Sequence, residues 1–343
     1  MSKNIILTLV ISLFAVTMGF TSCNGNSKKD TSNADSLLMD SAVFSIPDTG
    51  NQVTIADSSW AQAAKSLTES MPQVQPDTTK KPGKPVLMPM GNMDPYRPQE
   101  LLDGLNKAKN GNLRGAIVDF DKCIAKFYKN HNAYYYKAKA YVELNEPQNA
   151  LSALNLAIEY NPNQPLYYYY RGELYAKDNN QGSAFADFDK AVSLDAKFVE
   201  ALNYRGVTNE VLGKHTEAVA DYNAAILLRP DYATAYYNKG TSEAAMELYK
   251  DAIASFTKCL ELDPKKILSF MNRGNCFVMV NDYKSAISDY SKVISLSPER
   301  SDAYYNRGAA YHYAGDKKAC DDWRKAQSLG NQKAGEMINK YCK

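Results

Sequence analysis

The chain has 343 residues, of which 45% are hydrophobic and 23% are charged, and its formal net charge is +2. Lysine and arginine alternate with aspartate and glutamate, whereas a nucleic-acid-binding protein concentrates basic charge on one face. The composition therefore argues against a nucleic acid as partner and indicates a solvated surface of mixed charge.

Residues 1–23 have the pattern of a secretory signal peptide. A lysine precedes an apolar run from Ile5 to about Met18, which is shorter than the roughly 20 residues that a membrane-spanning helix needs. The ending FTSC resembles the signal of bacterial lipoproteins, in which Cys23 becomes the lipidated first residue after cleavage. An ordinary secretory signal with an incidental cysteine is the alternative, because Phe20 stands where that motif prefers leucine.

The lipoprotein resemblance implies a location in the cell envelope. Asn24 follows the cysteine, and by resemblance to enterobacterial sorting this residue does not favour retention in the inner membrane. We therefore expect an outer-membrane lipoprotein of a Gram-negative, Bacteroidetes-like bacterium, attached to the membrane through its lipid and facing the periplasm or the cell surface.

Residues 24–96 are rich in serine, threonine, aspartate, asparagine, proline and lysine. Such a composition cannot bury a core, so this segment is predicted to be a disordered tether. A flexible chain of this length has an r.m.s. span of roughly 50 Å. The patch from Trp60 to Met71 has helix-compatible spacing, for which a chance cluster in a linker is the simpler explanation.

From residue 97 onward, small and aromatic residues recur every 34 positions. The first series consists of Ala116, Ala150, Ala184, Ala218, Ala252 and Ala286. The second consists of Gly104, Ala138, Gly172, Gly206, Gly240, Gly274 and Gly308, and the third of Tyr134, Tyr168, Leu202, Tyr236, Phe270 and Tyr304. This period is typical of helix–turn–helix solenoids, in which each unit buries its apolar face against its neighbours.

Each unit is predicted to contain two antiparallel helices, which we call A and B. In the unit from Tyr236 to Pro264, helix A carries Gly240, and helix B carries Ala252 and Phe256. The glycine and the alanine are small because helices about 8–10 Å apart leave no room for a large side chain at their closest approach. The proline ends helix B, since it supplies no N–H.

This arrangement resembles the tetratricopeptide repeat (TPR). Six units over 131–334 match it well, and a seventh, 97–130, matches through Gly104, Ala116 and Phe120. The resemblance implies an all-α fold, a right-handed α-solenoid of about seven repeats of 34 residues.

The solenoid is expected to occupy residues 97–330, and its last unit departs from the register. The segment GDKKACDDWRKAQSLG is one residue short, so Trp323 takes the aromatic place of its helix B. Residues 331–343 have Ala334 and Met337 on one helical face, which predicts a capping helix that shields the last repeat from water.

Five cysteines remain besides the candidate lipidation site, an odd number in a compartment that permits disulfides. Cys123 and Cys259 occupy a small-residue position of helix B, and Cys276 lies within a helix A, so these three are predicted to be buried. Cys320 and Cys342 are the candidate disulfide pair, which would pin the cap to the last unit.

No catalytic or metal-binding pattern was found. HExxH, GxSxG, GxxxxGK[ST] and CxxC are absent, as is GxGxxG after a strand pattern. His131, His215 and His312 fall in different units, without a partner for acid–base chemistry. We therefore expect a protein that is not an enzyme and that uses no cofactor and no metal.

The resemblance implies a concave groove lined by the A helices. The candidate groove residues are Tyr135, Tyr169, Asn203, Tyr237, Asn238, Met271, Asn272, Tyr305 and Asn306. In this family such positions bind extended peptides or helices of partner proteins, the asparagines by bonding a backbone. The alternative for the tyrosines is that they fill helix–helix contacts.

A carboxylate clamp, which some members of the family use, needs basic side chains in the groove. Here the basic residues lie one position before the glycine series, closer to the packing side; they are Arg171, Arg205, Lys239, Arg273 and Arg307. A clamp is therefore not expected.

Two functions follow from these patterns. The first is a lipid-anchored scaffold or assembly protein that binds an envelope protein or peptide in its groove. The second is a carbohydrate-binding lipoprotein, since tyrosine faces can stack on sugar rings. Glycan-uptake lipoproteins built on such repeats carry long loop insertions, and the units here have none, which favours a protein partner.

Overall fold

A computed structural model of the chain describes residues 98–342. This part contains fifteen helices and no strand, so the predicted all-α class is confirmed. None of these helices is long and apolar enough to cross a membrane. The predictions for the signal peptide, for Cys23 and for the tether over 24–96 lie outside the described residues.

The helices form seven A–B pairs and a final single helix. The A helices are α1 (Gln99–Lys109), α3 (His131–Glu143), α5 (Pro165–Lys177), α7 (Val199–Val211), α9 (Ala233–Ala245), α11 (Ile267–Met279) and α13 (Ser301–Tyr313). The B helices are α2 (Leu113–Lys126), α4 (Pro147–Tyr160), α6 (Gln181–Leu194), α8 (His215–Leu228), α10 (Tyr249–Leu262), α12 (Tyr283–Leu296) and α14 (Ala319–Ser328), and α15 spans Gln332–Tyr341. Each helix packs on its neighbours in the chain, which gives a helical solenoid.

The two helices of a pair meet where a glycine faces a buried aromatic ring. A Cβ atom added to Gly240 would lie only 2.8 Å from Cε1 of Phe256, a separation that real side chains do not adopt. The same contact joins Gly104 to Phe120, Gly172 to Phe188, Gly206 to Tyr222, Gly274 to Tyr290 and Gly308 to Trp323. The glycine series therefore marks the closest approach of helices A and B, and Trp323 fills the aromatic place in the shortened last unit.

Each turn from helix A to helix B passes through one residue of left-handed conformation, and these residues also recur every 34 positions. Glycine holds the place at Gly111, Gly213 and Gly315, and asparagine at Asn145, Asn179 and Asn281. A left-handed residue after a helix satisfies its last carbonyl groups, and glycine and asparagine adopt it at the lowest cost. Glu247, with a φ of 62°, is the exception.

The last repeat is covered by α15, which packs on α14. Ala334 and Met337 of α15 are buried, as expected for a cap. A disulfide joins Cys320 to Cys342, with 5.6 Å between the Cα atoms. The ring of Tyr341 lies 4.3 Å from that of His312 on α13, so the cap reaches both helices of the last pair.

Candidate functional site

The nine predicted groove residues lie on the A helices, but their side chains are buried. Their exposed fractions do not exceed 6% for Tyr135, Tyr169, Asn203, Tyr237, Asn238, Met271, Asn272, Tyr305 and Asn306. In this structure these nine side chains are therefore not exposed on a groove surface. The physical reason is direct packing between successive A helices, which is seen for α7 with α9, α9 with α11 and α11 with α13.

The tyrosines of this set contact one another and neighbouring rings. The ring of Tyr135 stacks on that of Tyr167, at 5.2 Å between centroids. The ring of Tyr169 lies 5.0 Å from Phe198 and 5.5 Å from Tyr204. Burial raises the pKa of both Tyr135 and Tyr169 above the usual range. These rings fill helix–helix contacts and present no open face on which a sugar could stack.

The arginines beside the glycine series join two repeats rather than face a groove. Arg171 on α5 donates from Nε and Nη2 to Asp187 on α6, at 2.8 Å each, and from Nη1 to Asn155 on α4 at 2.7 Å. The other sets are Arg205 with Asp221 and Asp189, Arg273 with Asp289 and Thr257, and Arg307 with Asp322 and Ser291. These side chains are engaged with B helices, so a carboxylate clamp is not formed by them.

Two asparagines, one on α7 and one on α9, form a hydrogen-bonded pair in which one donor and one acceptor remain unused. Asn238 donates from Nδ2 to Oδ1 of Asn203, at 3.1 Å. Nδ2 of Asn203 and Oδ1 of Asn238 are buried and have no hydrogen-bond partner within the described part of the chain. Exchanging the oxygen and nitrogen positions of both amides would still leave one donor and one acceptor unused. The pair therefore offers one N–H and one C=O side by side.

A buried carboxyl lies on the preceding A helix. Glu173 on α5 is 3% exposed, and its Oε2 makes no hydrogen bond to any described residue. Burial raises the pKa of Glu173 to about 8, although the charge of Lys177 and the hydroxyls of Tyr204 and Tyr169 act in the opposite direction. The hydroxyl of Tyr169 is likewise buried and makes no hydrogen bond of normal geometry, although it lies close enough to Glu173 to lower the pKa of that carboxyl.

Other buried ionisable side chains are held within the fold. Glu210 on α7 accepts hydrogen bonds from Tyr222 and Ser242, at 3.0 Å each, and burial raises its pKa to about 7. Lys139 on α3 is also buried, which lowers its pKa to about 8. Sequence reasoning missed Lys139 and Glu173, although both follow a member of the glycine series directly, where the other units have Leu, Val, Thr, Asn or Ala.

The histidines do not form a common site. His131 makes a 2.6 Å hydrogen bond through Nδ1 with the hydroxyl of Tyr167, and His312 lies among the rings of Trp323 and Tyr341. Over residues 98–342, no group of three or more His, Cys, Asp or Glu side chains is arranged to hold a metal ion.

Comparison with known families gives matches over most of the helical part. Models of the tetratricopeptide repeat match residues 101–165, 137–198 and 233–266. A further TPR repeat model matches residues 211–242 and 274–315. No curated protein matches the sequence.

Solved structures of several TPR proteins are similar to the chain. The C-terminal part of a TPR repeat-containing protein from Cytophaga hutchinsonii is 23% identical, with a TM-score of 0.57 over 68% of this chain and 97% of its own. A tetratricopeptide repeat protein from Parabacteroides merdae is 19% identical, with a TM-score of 0.52 over 71% and 95%. YrrB, a TPR protein with an unusual peptide-binding site, is 24% identical, with a TM-score of 0.51 over 55% and 99%. At these identities the similarity establishes the fold alone.

Proposed function

We propose that this chain, which belongs to the tetratricopeptide repeat family, is a lipid-anchored protein of the Gram-negative cell envelope that binds an extended segment of a partner protein along its A helices. TPR repeats generally mediate protein–protein interaction, and the observation that carries the proposal for this chain is the Asn203–Asn238 pair. This pair supports a binding surface on α7 and α9 for the partner segment.

The unused groups of the pair are complementary to a peptide backbone. One residue of an extended peptide presents its own N–H donor and C=O acceptor on the same side of the chain, and these match the unused oxygen of Asn238 and the unused N–H of Asn203. A buried polar atom without a partner destabilises a protein by about 1–3 kcal/mol. A peptide backbone placed against these two atoms would supply both missing hydrogen bonds.

Crosslinking tests the binding segment. The chain from residue 24 onward, without lipid, would be incubated with solubilised envelope, crosslinked, and the crosslinked residues mapped. We expect a partner segment crosslinked to α7 and α9 that is lost from the Asn203→Ala/Asn238→Ala variant. Asn306→Ala is the matched control, because Asn306 donates to Asn275 and is already hydrogen-bonded. Crosslinks that lie only on the B helices would refute α7 and α9 as the binding surface.

The lipid anchor rests on the sequence around Cys23, and the composition of residues 24–96 supports a tether that gives the repeats reach from the membrane. Cys23→Ala should move the protein from the membrane fraction to the soluble fraction and abolish incorporation of labelled fatty acid. Cys276→Ala, which changes a buried thiol within α11, should leave both unchanged. Retention of the Cys23→Ala protein in the membrane fraction would refute lipid anchoring at this residue.

A further inference from the structure

Helix α5 contains a buried carboxyl group, that of Glu173, whose Oε2 makes no hydrogen bond to any described residue. The inference drawn from this group rests on the function proposed above and specifies the partner more closely. We propose that Glu173 and Tyr169 form a subsite for one basic side chain of the bound peptide. The partner segment would then carry a lysine or arginine next to the residue whose backbone is held by Asn203 and Asn238.

The geometry brings the two acceptors together on one face of α5. Tyr169 and Glu173 are four residues apart, which places them one helical turn from each other on the same side of the helix. Both are buried, and the hydroxyl oxygen of Tyr169 and Oε2 of Glu173 have unused hydrogen-bonding capacity. A lysine ammonium group has three donors and an arginine guanidinium has five, so either can bond both oxygens.

The subsite and the asparagine pair lie on helices whose side chains contact each other. The ring of Tyr169 meets the ring of Tyr204 edge-on, at 5.5 Å between centroids. Tyr204 follows Asn203 directly on α7, so the phenol and carboxyl on α5 and the free amide on α7 lie along neighbouring helices. The inference requires that a peptide held by its backbone at Asn203 extends one side chain to α5.

The charges of the neighbourhood favour a cation rather than an anion. The arginines of the same two helices are neutralised, Arg171 by Asp187 and Arg205 by Asp221, at 2.8 Å and 2.6 Å. The cation that acts on Glu173 is Lys177, which is exposed one turn further along α5. A cation gives this buried carboxyl a charged partner when the carboxyl ionises, whereas an acidic side chain would bring a second carboxyl group into the same buried site.

Binding of a cation at this subsite would release a proton. The pKa of Glu173 is raised to about 8, so at pH 7 the carboxyl is mostly protonated in the free protein. The charged and titratable groups that face it are Lys177 and Tyr169 from its own helix and Tyr204 from α7. A cation beside Glu173 favours the ionised form, so about one proton should leave at pH 7 when a basic peptide binds.

A peptide array tests the subsite. The probes are nine-residue peptides of randomised background in which each position in turn carries Lys, Arg, norleucine or Glu, and the bait is the chain from residue 24 onward. We expect retention to favour Lys or Arg at one position by at least about tenfold over norleucine. Glu173→Gln should lose this preference and still retain the neutral peptides.

Glu210→Gln is the matched control, because Oε2 of Glu210 is already bonded by Tyr222 and Ser242, and its preference should equal that of the parent chain. Glutamine has nearly the shape of glutamate, and equal melting temperatures at pH 5 establish that Glu173→Gln is folded. Calorimetry in two buffers of different ionisation enthalpy should show proton release for the parent chain and none for Glu173→Gln.

The outcomes separate the two proposals. Peptides retained by the parent chain without a basic preference, or with a preference that survives Glu173→Gln, would overturn the subsite and leave the proposed peptide binding in place. Retention of no peptide, or retention unchanged in Asn203→Ala/Asn238→Ala, would overturn peptide binding at α7 and α9, and the subsite with it.

Discussion

Single glycines determine how closely paired helices approach. Replacing Gly206 with alanine would place a Cβ atom 2.6 Å from Cε1 of Tyr222, a ring that is fully buried. We expect Gly206→Ala to lower the free energy of unfolding by about 1–3 kcal/mol, because the ring or the helix must shift in a packed core. Urea unfolding followed by circular dichroism measures this loss.

The control is the same substitution where space is free. Apart from its chain neighbours and the backbone of its own helix, no atom lies within 4 Å of a Cβ added to Gly182 on α6, so Gly182→Ala should raise the free energy of unfolding by about 0.4–1 kcal/mol. Equal effects of the two substitutions would contradict the steric explanation of the glycine series.

Glu173 should make stability depend on pH. Its pKa is raised to about 8 in the folded chain and is near 4.5 when unfolded, so between these values the folded state binds the extra proton. Stability therefore falls as pH rises through this window, by up to about 1.4 kcal/mol per pH unit from this group alone. Glu173→Gln should flatten the decline of the melting temperature between pH 5 and 7. An unchanged slope would mean that Glu173 ionises normally in the folded chain.

At the scale of the element, the turn between α9 and α10 carries local strain. Glu247 adopts a φ of 62°, where the corresponding turns use glycine or asparagine. Because a side chain with a Cβ pays about 1–2 kcal/mol for this conformation, Glu247→Gly should stabilise the protein by about 1 kcal/mol. Glu336→Gly within α15 should destabilise by a similar amount, because glycine weakens a helix interior. Denaturant midpoints of both variants test the opposite signs.

The arginine contacts hold the helices of neighbouring repeats in place. Arg273 on α11 bonds Asp289 on α12 and Thr257 on α10, and Asp289 is buried. Arg273→Ala should lower the free energy of unfolding by about 1.5–3 kcal/mol, because a buried carboxyl loses its charged partner.

The matched control for Arg273→Ala is an arginine–aspartate pair at the surface. Arg324 bonds Asp321 on the same helix, and both side chains are largely exposed. Arg324→Ala should change the free energy of unfolding by less than about 0.5 kcal/mol. A large effect at Arg324 or a negligible one at Arg273 would refute the bridging role of the buried contacts.

At the scale of the whole molecule, the stability of a solenoid depends on its ends, because each repeat contacts only its neighbours. The Cys320–Cys342 disulfide closes a segment with a sequence separation of 22 and ties α15 to α14. A loop of this length contributes about 3 kcal/mol through restriction of the unfolded chain. Cys342→Ser should therefore lower the melting temperature of the oxidised protein.

Reduction provides the control for the disulfide. A reducing agent should lower the melting temperature of the parent chain to that of Cys342→Ser and leave the variant unchanged. A parent chain that is insensitive to reduction would show that this bond does not contribute to the cap.

The sequence by itself determined the fold class, the period of the repeats and the pairing of helices within a repeat. These features depend on packing contacts that every unit makes. Residues equivalent to Gly206 and Ala218 therefore recur at the same spacing, and the one-residue shift that brings Trp323 into the aromatic position of the last unit is visible in the sequence. The left-handed turn residues also recur every 34 positions. A search for glycine and asparagine alone would miss one of them, because Glu247 occupies that position in its unit.

Only the tertiary structure decided which side chains of the A helices are buried and which polar atoms lack hydrogen-bond partners. The repeat period does not specify how closely the A helices of successive units approach, and this approach buries Tyr169 and Asn203 instead of leaving them in an open groove. The contacts of Arg171 with both α4 and α6, and the unbonded carboxyl oxygen of Glu173, likewise depend on the stacking of whole repeats. Contacts within a unit are made by residues that recur in the sequence, so they can be predicted from it. Contacts between units depend on how many different side chains pack together, and the repeat pattern does not specify this packing.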